Sequence, residues 1–170
     1  MSRLKSITDP ETRFIFFSAH IKSHLNYAST VWDGSGDVHL KRLNALHRRA
    51  AKIILPDPDL STDRKLEKLQ LLPLKQHLLF NKAILMYKLT KQMCPSYLSA
   101  FFVELSDKDN RLQQHYKVPL PRIDLFKTSL AFSGSKLWNS LPVTIRNQSL
   151  SCFKVSLFSH LKVETSSRFH

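Results

Sequence analysis

The chain has 170 residues, 42% of them hydrophobic, and a formal net charge of +13: long enough for one domain with a real core, and more charged than solubility requires. Such an excess points to a polyanionic partner, nucleic acid being the usual one. Three glycines and two cysteines exclude Gly-rich phosphate loops, a disulfide framework and a CxxC metal site, and no apolar run approaches the roughly 18 residues of a membrane span.

The first helix is signalled by Asp9 as N-cap, Pro10 at the first helical position and Glu11 in the first turn. Phe14, Phe17, Ile21, Leu25 and Ala28 then recur at helical spacing. His20 and His24 stand four apart at the edge of that stripe, the spacing of a metal pair, but no third ligand is near. Asp33-Gly34-Ser35-Gly36 reads as a turn. A second helix is expected from Asp37, as N-cap, to Leu55. Leu40, Leu43, Leu46, His47, Ala50, Ala51, Ile53 and Ile54 form its inner face. Lys41, Arg42, Arg48, Arg49 and Lys52 gather on the other side, with no acid between them to interrupt the face. Pro56-Asp57-Pro58-Asp59 stops it. Ser61, Thr62 or Asp63 caps a short third helix with Leu66 and Leu69 inward.

Pro73 to Gln92 is apolar nearly all round, its polar seams narrowed to Lys75/Lys82 and His77/Asn81/Lys88. A helix of that kind is buried, and about 20 residues span about 30 Å. The fold expected is therefore mainly α: a small helical bundle around this buried central helix, with an extended or loop segment and two short C-terminal helices. Cys94-Pro95 ends the hub, and residues 96–102 form a short apolar turn. Composition shifts at that point, dividing a helical region, 1–102, from a second region, 103–170, and the two are expected to form one compact unit around the shared hub. In the second region, 104–114 is a polar loop and 115–125, with two prolines, is extended or an edge. Helices are expected at Ser129 to Ser140, stopped by Pro142, and at Ser151 to Lys162, capped by Ser151 and offering Phe153, Leu157, Phe158 and Leu161. Met1 to Asp9 lacks the hydrophobic centre of a signal peptide. A soluble, intracellular protein is expected, with Cys94 and Cys152 as packing residues.

No set of residues converges on a reaction: GxSxG, P-loop and HExxH patterns are absent. Asp57 and Asp59, an acidic pair two residues apart, flank a proline and serve better as helix punctuation than as metal ligands. Neither a catalytic residue nor a cofactor is expected. Trp32 and Trp138 sit in apolar stretches and read as core anchors, each indole N–H bonded to a carbonyl, rather than as base-stacking platforms.

The ordered set HLNYASTVWD (24–33), LKRLNALHRRAAKIIL (40–55), CPSYL (94–98), Asn110-Arg111, GSKLWNSLP (134–142) and Phe153-Lys154 resembles the C-terminal region of reverse transcriptases from non-LTR, LINE-type (jockey-like) retrotransposons. The likeness runs from about Phe14 to Leu161. It implies a thumb and post-thumb portion of a polymerase that copies element RNA at a nicked DNA target. The family's YADD-type motif, its endonuclease and the Cys/His knuckle of some relatives have no counterpart here, which implies a truncated, non-catalytic derivative. A basic thumb helix tracks the template–primer backbone, so phosphate contact by Lys41, Arg42, Arg48, Arg49 and Lys52, without sequence preference, is the expected activity. Lys117, Arg122 and Lys127 are the second-choice cationic set. The alternative is a protein-interaction or self-associating module that uses the surface once turned to the palm.

Overall fold

The computed structural model describes residues 8–105 and 115–166. Helix dominates the described residues, and a buried helix lies at the centre, as the periodicity required. The chain divides into two compact units, Met1–Leu78 and Leu79–His170, and the division falls inside that central helix.

In the first unit, α1 (Pro10–Phe16) begins where Asp9 accepts the Thr12 N–H at 3.3 Å. It runs through a π-helical stretch, Phe17–Lys22, into α2 (Ser23–Asn26), and Ala28 in the left-handed region (φ 46°) breaks the path before α3 (Ser29–Trp32). Next comes α4 (Asp37–Ile54). Its N-cap is Gly36, not Asp37, which sits in the first turn, where a carboxylate meets the positive end of the helix dipole. Asp57 Oδ1 accepts the Asp59 N–H at 3.0 Å, the local turn that punctuation requires. Ser61 caps α5 (Thr62–Lys68) by accepting from Arg64 N at 3.3 Å. Phe17, Ala50, Ala51, Ile54, Leu66 and Leu71 form the core. Phe14, Ile21, Leu55 and Leu69 pack against it half-buried. Arg13 is buried as well, its guanidinium donating to the carbonyls of Asp9 and Ile53. The second bond caps the C-terminus of α4, where helical carbonyls lack partners.

The central helix, α6 (Leu74–Thr90), buries Leu74 and Leu78 in the first unit. In the second unit it buries Lys82, Ala83, Met86, Tyr87 and Leu89. Lys82 was expected on a polar seam, yet it is 6% exposed. Its ammonium donates to Ser133 Oγ at 2.9 Å, a partner that a buried charge requires.

The second unit continues with α7 (Ser96–Ser99), α8 (Asp124–Lys127), α9 (Leu130–Ser140), α10 (Val143–Arg146) and α11 (Leu150–Ser166). Ser129 caps α9 through Phe132 N at 3.4 Å. α11 starts a turn-fraction earlier than Ser151, with Ser149 Oγ accepting from Cys152 N at 3.5 Å. Gly134 lets α9 approach α6 closely, since a Cβ there would lie 2.8 Å from Met86 Sδ. Trp138, 1% exposed, packs against the Phe153 ring at 5.9 Å and meets Tyr87 edge-on at 6.3 Å. Its N–H has no hydrogen-bond partner among the described residues, contrary to expectation. Trp32 does bond, to Tyr27 O at 3.0 Å, but is only half-buried. Cys152 is exposed, so it is not a packing residue.

Among the described residues, the extended part of the second unit is an isolated antiparallel bridge, Glu104 with Tyr116. Leu105 N donates to His115 O at 3.0 Å, and Lys117 N donates to Val103 O at 2.8 Å. Asn139 holds this bridge against α9. Its Oδ1 accepts the His115 and Tyr116 N–H groups, both at 3.0 Å, and its Nδ2 donates to Tyr116 O at 2.7 Å. Asn110 and Arg111 lie outside the described residues.

Candidate nucleic-acid interface

α4 holds 18 residues without an internal glycine or proline, and its capped C-terminus keeps the last turn intact. His47, Ala50, Ala51 and Ile54 are its buried residues. Leu40, Leu43 and Ile53 are only half-buried. Leu46 is 61% exposed, a correction to the inner face read from the sequence. The buried surface is narrower than the apolar stripe because the stripe's edge reaches past the helices that cover it.

The opposite side is cationic. Lys41, Arg42, Arg49 and Lys52 are exposed and make no ion pair among the described residues. At 3.6 residues per turn, the five basic positions occupy an arc of about 120°. Val38, His39 and Leu46 are also exposed on this helix, and no Phe, Tyr or Trp stands among them. The face presents exposed cations and no Phe, Tyr or Trp ring on which a base could stack.

Arg48 differs from the other four. It is half-buried and makes a two-pronged bond to Asp63 of α5, NH1 to Oδ1 at 2.6 Å and NH2 to Oδ2 at 3.3 Å. The two side chains are 37% and 56% exposed, so solvent screens the pair and limits it to about 1 kcal/mol or less. A phosphate must compete with Asp63 for this arginine. Sequence reading missed the pair because it joins two helices across a proline loop, and Asp63 looked like a cap.

Two histidines of this unit are held neutral. His47 Nε2 lies 3.1 Å from Leu72 O, and burial depresses its pKa, with Lys22 and Arg48 adding repulsion against the Leu72 carbonyl. His77 Nε2 lies 2.6 Å from Asn26 Oδ1. Burial lowers its pKa to about 4, helped by Lys22 and His47. Neither adds charge to the cationic face near pH 7.

The other cationic set lies in the second unit. Lys117, Arg122 and Lys127 are exposed, and Lys127 is paired with Asp124 at 2.7 Å. His20 lies against the Phe16 ring at 4.6 Å and His24 is exposed. Among the described residues no three His, Cys, Asp or Glu side chains are grouped to hold a metal, and no helix is long and apolar enough to cross a membrane. No family model, no curated protein and no solved structure matches the chain.

Proposed function

We propose that the chain is a non-catalytic nucleic-acid-binding module, akin to the C-terminal region of non-LTR retrotransposon reverse transcriptases, that holds an RNA or DNA backbone on α4. The observation that carries this reading is the exposed set Lys41, Arg42, Arg49 and Lys52, without an ion pair among the described residues, on one side of a helix whose other side contributes to the core. From Lys41 to Lys52 the helix rises about 16 Å, over which one strand of duplex presents about five phosphates. The match is in charge and length alone, so binding is independent of sequence. The net charge of +13 supplies the long-range attraction.

Salt dependence tests the assignment. Four phosphate contacts correspond to a log–log slope of about −3.6 on duplex DNA and about −2.8 on single strands. Replacing Arg42, Arg49 and Lys52 by Gln keeps helix propensity nearly level, so the fold survives while the slope shrinks to about −0.9 on duplex. Both proteins are titrated against a labelled primer–template at several salt concentrations. Equal slopes would move the site to Lys117, Arg122 and Lys127. The same samples, with Mg²⁺ or Mn²⁺ and an RNA template, give no primer extension under this reading; a templated product would overturn the non-catalytic part.

A further inference from the structure

Val118-Pro119-Leu120-Pro121 carries the chain from the Glu104–Tyr116 bridge toward α8. Each proline ring holds its own φ at about −65° and pushes the residue before it into the extended region, so the run favours polyproline II geometry. Residues 117–121 belong to no helix or strand, and the main chain of 118–122 makes no backbone hydrogen bond among the described residues. Both ends are nevertheless tied down. Tyr116 is buried, held by Asn139 and bonded through its hydroxyl to Thr90 Oγ1 at 2.9 Å. At the other end, Ile123 O accepts the Phe126 N–H at 3.1 Å where α8 begins. The four residues are a short, stiff span between two anchors.

The side chains of this span are unequally covered. Val118, Pro119 and Pro121 are half-buried, whereas Leu120 is 94% exposed. Among the described residues no large hydrophobic side chain is more open to water. Ile123, Leu125 and Phe126, just beyond it, are exposed as well. Lys117 and Arg122 bracket the span, both exposed and without an ion pair among the described residues. At 3.1 Å per residue in polyproline II geometry, the two cations stand about 15 Å apart along the chain. An exposed apolar run rimmed by charge marks an interaction surface.

We propose that Leu120-Pro121 is a ligand for an aromatic-lined groove on another protein, of the kind that takes polyproline II segments, with carboxylates at the two ends of the groove. Three observations select this occupant. The backbone is already fixed, so docking costs little conformational entropy, which is what such grooves exploit. The carbonyls of the span are free among the described residues, and the indole and phenol hydrogens of Trp and Tyr in a groove can donate to them. The bracketing Lys117 and Arg122 require acids opposite them and repel a basic partner. Prolines two apart, on a helix of three residues per turn, face different sides, so only one X-Pro unit enters the groove. Leu120-Pro121 is the one whose first side chain is open. The reading uses no residue of α4.

The probes are fluorescein-labelled SH3, WW and EVH1 domains with acidic groove ends, titrated with the full chain and read by anisotropy. At least one is expected to bind saturably, and Leu120→Ala should weaken that binding about tenfold. Arg122→Glu, which reverses the charge at one end, should weaken it by a similar factor. Because Leu120 is open to water, Leu120→Ala should melt at the wild-type temperature, which separates lost binding from lost folding. Four results would each overturn the proposal: no saturable binding to any of the domains, wild-type affinity in either variant, a lowered melting temperature for Leu120→Ala, or displacement of the bound domain by duplex nucleic acid. The last is measured on a chain carrying Arg42→Gln, Arg49→Gln and Lys52→Gln, where α4 is disabled, and would assign Lys117 and Arg122 to phosphates.

Discussion

Replacing Trp138 by alanine and, separately, by phenylalanine distinguishes its two contributions to the second unit. The side chain is 1% exposed and touches the rings of Tyr87 and Phe153, so truncation to alanine removes large apolar contacts and leaves a void. Such changes cost about 3–5 kcal/mol, a large share of the roughly 5–15 kcal/mol that holds a domain together. Phenylalanine keeps a ring against both neighbours and loses the smaller ring of the indole, a burial loss of about 2 kcal/mol. It also removes a buried N–H that has no partner among the described residues, recovering about 1–3 kcal/mol. The terms nearly cancel, and Trp138→Phe is expected to cost about 1 kcal/mol or less. Urea unfolding at pH 7, followed by far-UV circular dichroism, measures both variants without relying on tryptophan emission. If phenylalanine proves as costly as alanine, the indole N–H is bonded and the account of the core is wrong. If alanine leaves unfolding unchanged but weakens RNA binding, Trp138 is a stacking platform.

Three other outcomes rest on particular contacts. Asp63→Asn releases Arg48 to a phosphate, so the duplex salt slope should steepen by about 0.9; an unchanged slope would mean that Arg48 never faces the nucleic acid. His47 and His77 have depressed folded pKa values, so the unfolded chain binds more protons below about 6.5, and stability should fall as pH drops from there toward about 4. Thermal melts across that range should show the loss, and His77→Gln should reduce it; a variant with the full pH dependence would assign the effect elsewhere. Asn139→Ala strips three backbone groups of their partner, at a cost of about 2–3 kcal/mol, and should first be seen as lost hydrogen-exchange protection at Tyr116. Protection equal to wild type there would show that the bridge stands without the clamp.

Features that repeat locally were legible in the sequence. Asp9 and Ser129 are caps because the side chain that bonds lies three residues from its donor. α6 is recognisable because its apolar residues go all the way round, and Trp138 is recognisable by its neighbours. Features that depend on contacts between distant positions were hidden. The Arg48–Asp63 pair spans 15 residues, and the Asn139 clamp spans 23. A helical wheel shows the direction of Leu46 but not how far the covering helices extend over it. Lys82 falls in a polar seam on the wheel, and a partner that supports its burial, Ser133, lies 51 residues away. On the candidate face the arc of five cations was legible, whereas the partner that occupies one of them was not.

The bond from Arg13 to the Ile53 carbonyl also bears on the order in which the first unit assembles during synthesis. The contacts that link α4 to α5 and to the start of the hub are short in sequence, 15 residues for Arg48–Asp63 and 25 for His47–Leu72. Those that tie down the N-terminal helices are longer, 40 for Arg13–Ile53 and 51 for His77–Asn26. Loop closure is costlier over longer spans, and non-local contacts form later. α1 therefore leaves the ribosome first and docks last, with Phe14, Phe17 and Ile21 waiting for an α4 that does not yet exist. At a synthesis rate of about 5–20 residues per second the wait lasts seconds. During that interval these side chains are a natural target for a holding chaperone, and φ-values near one at Phe17 would contradict this order.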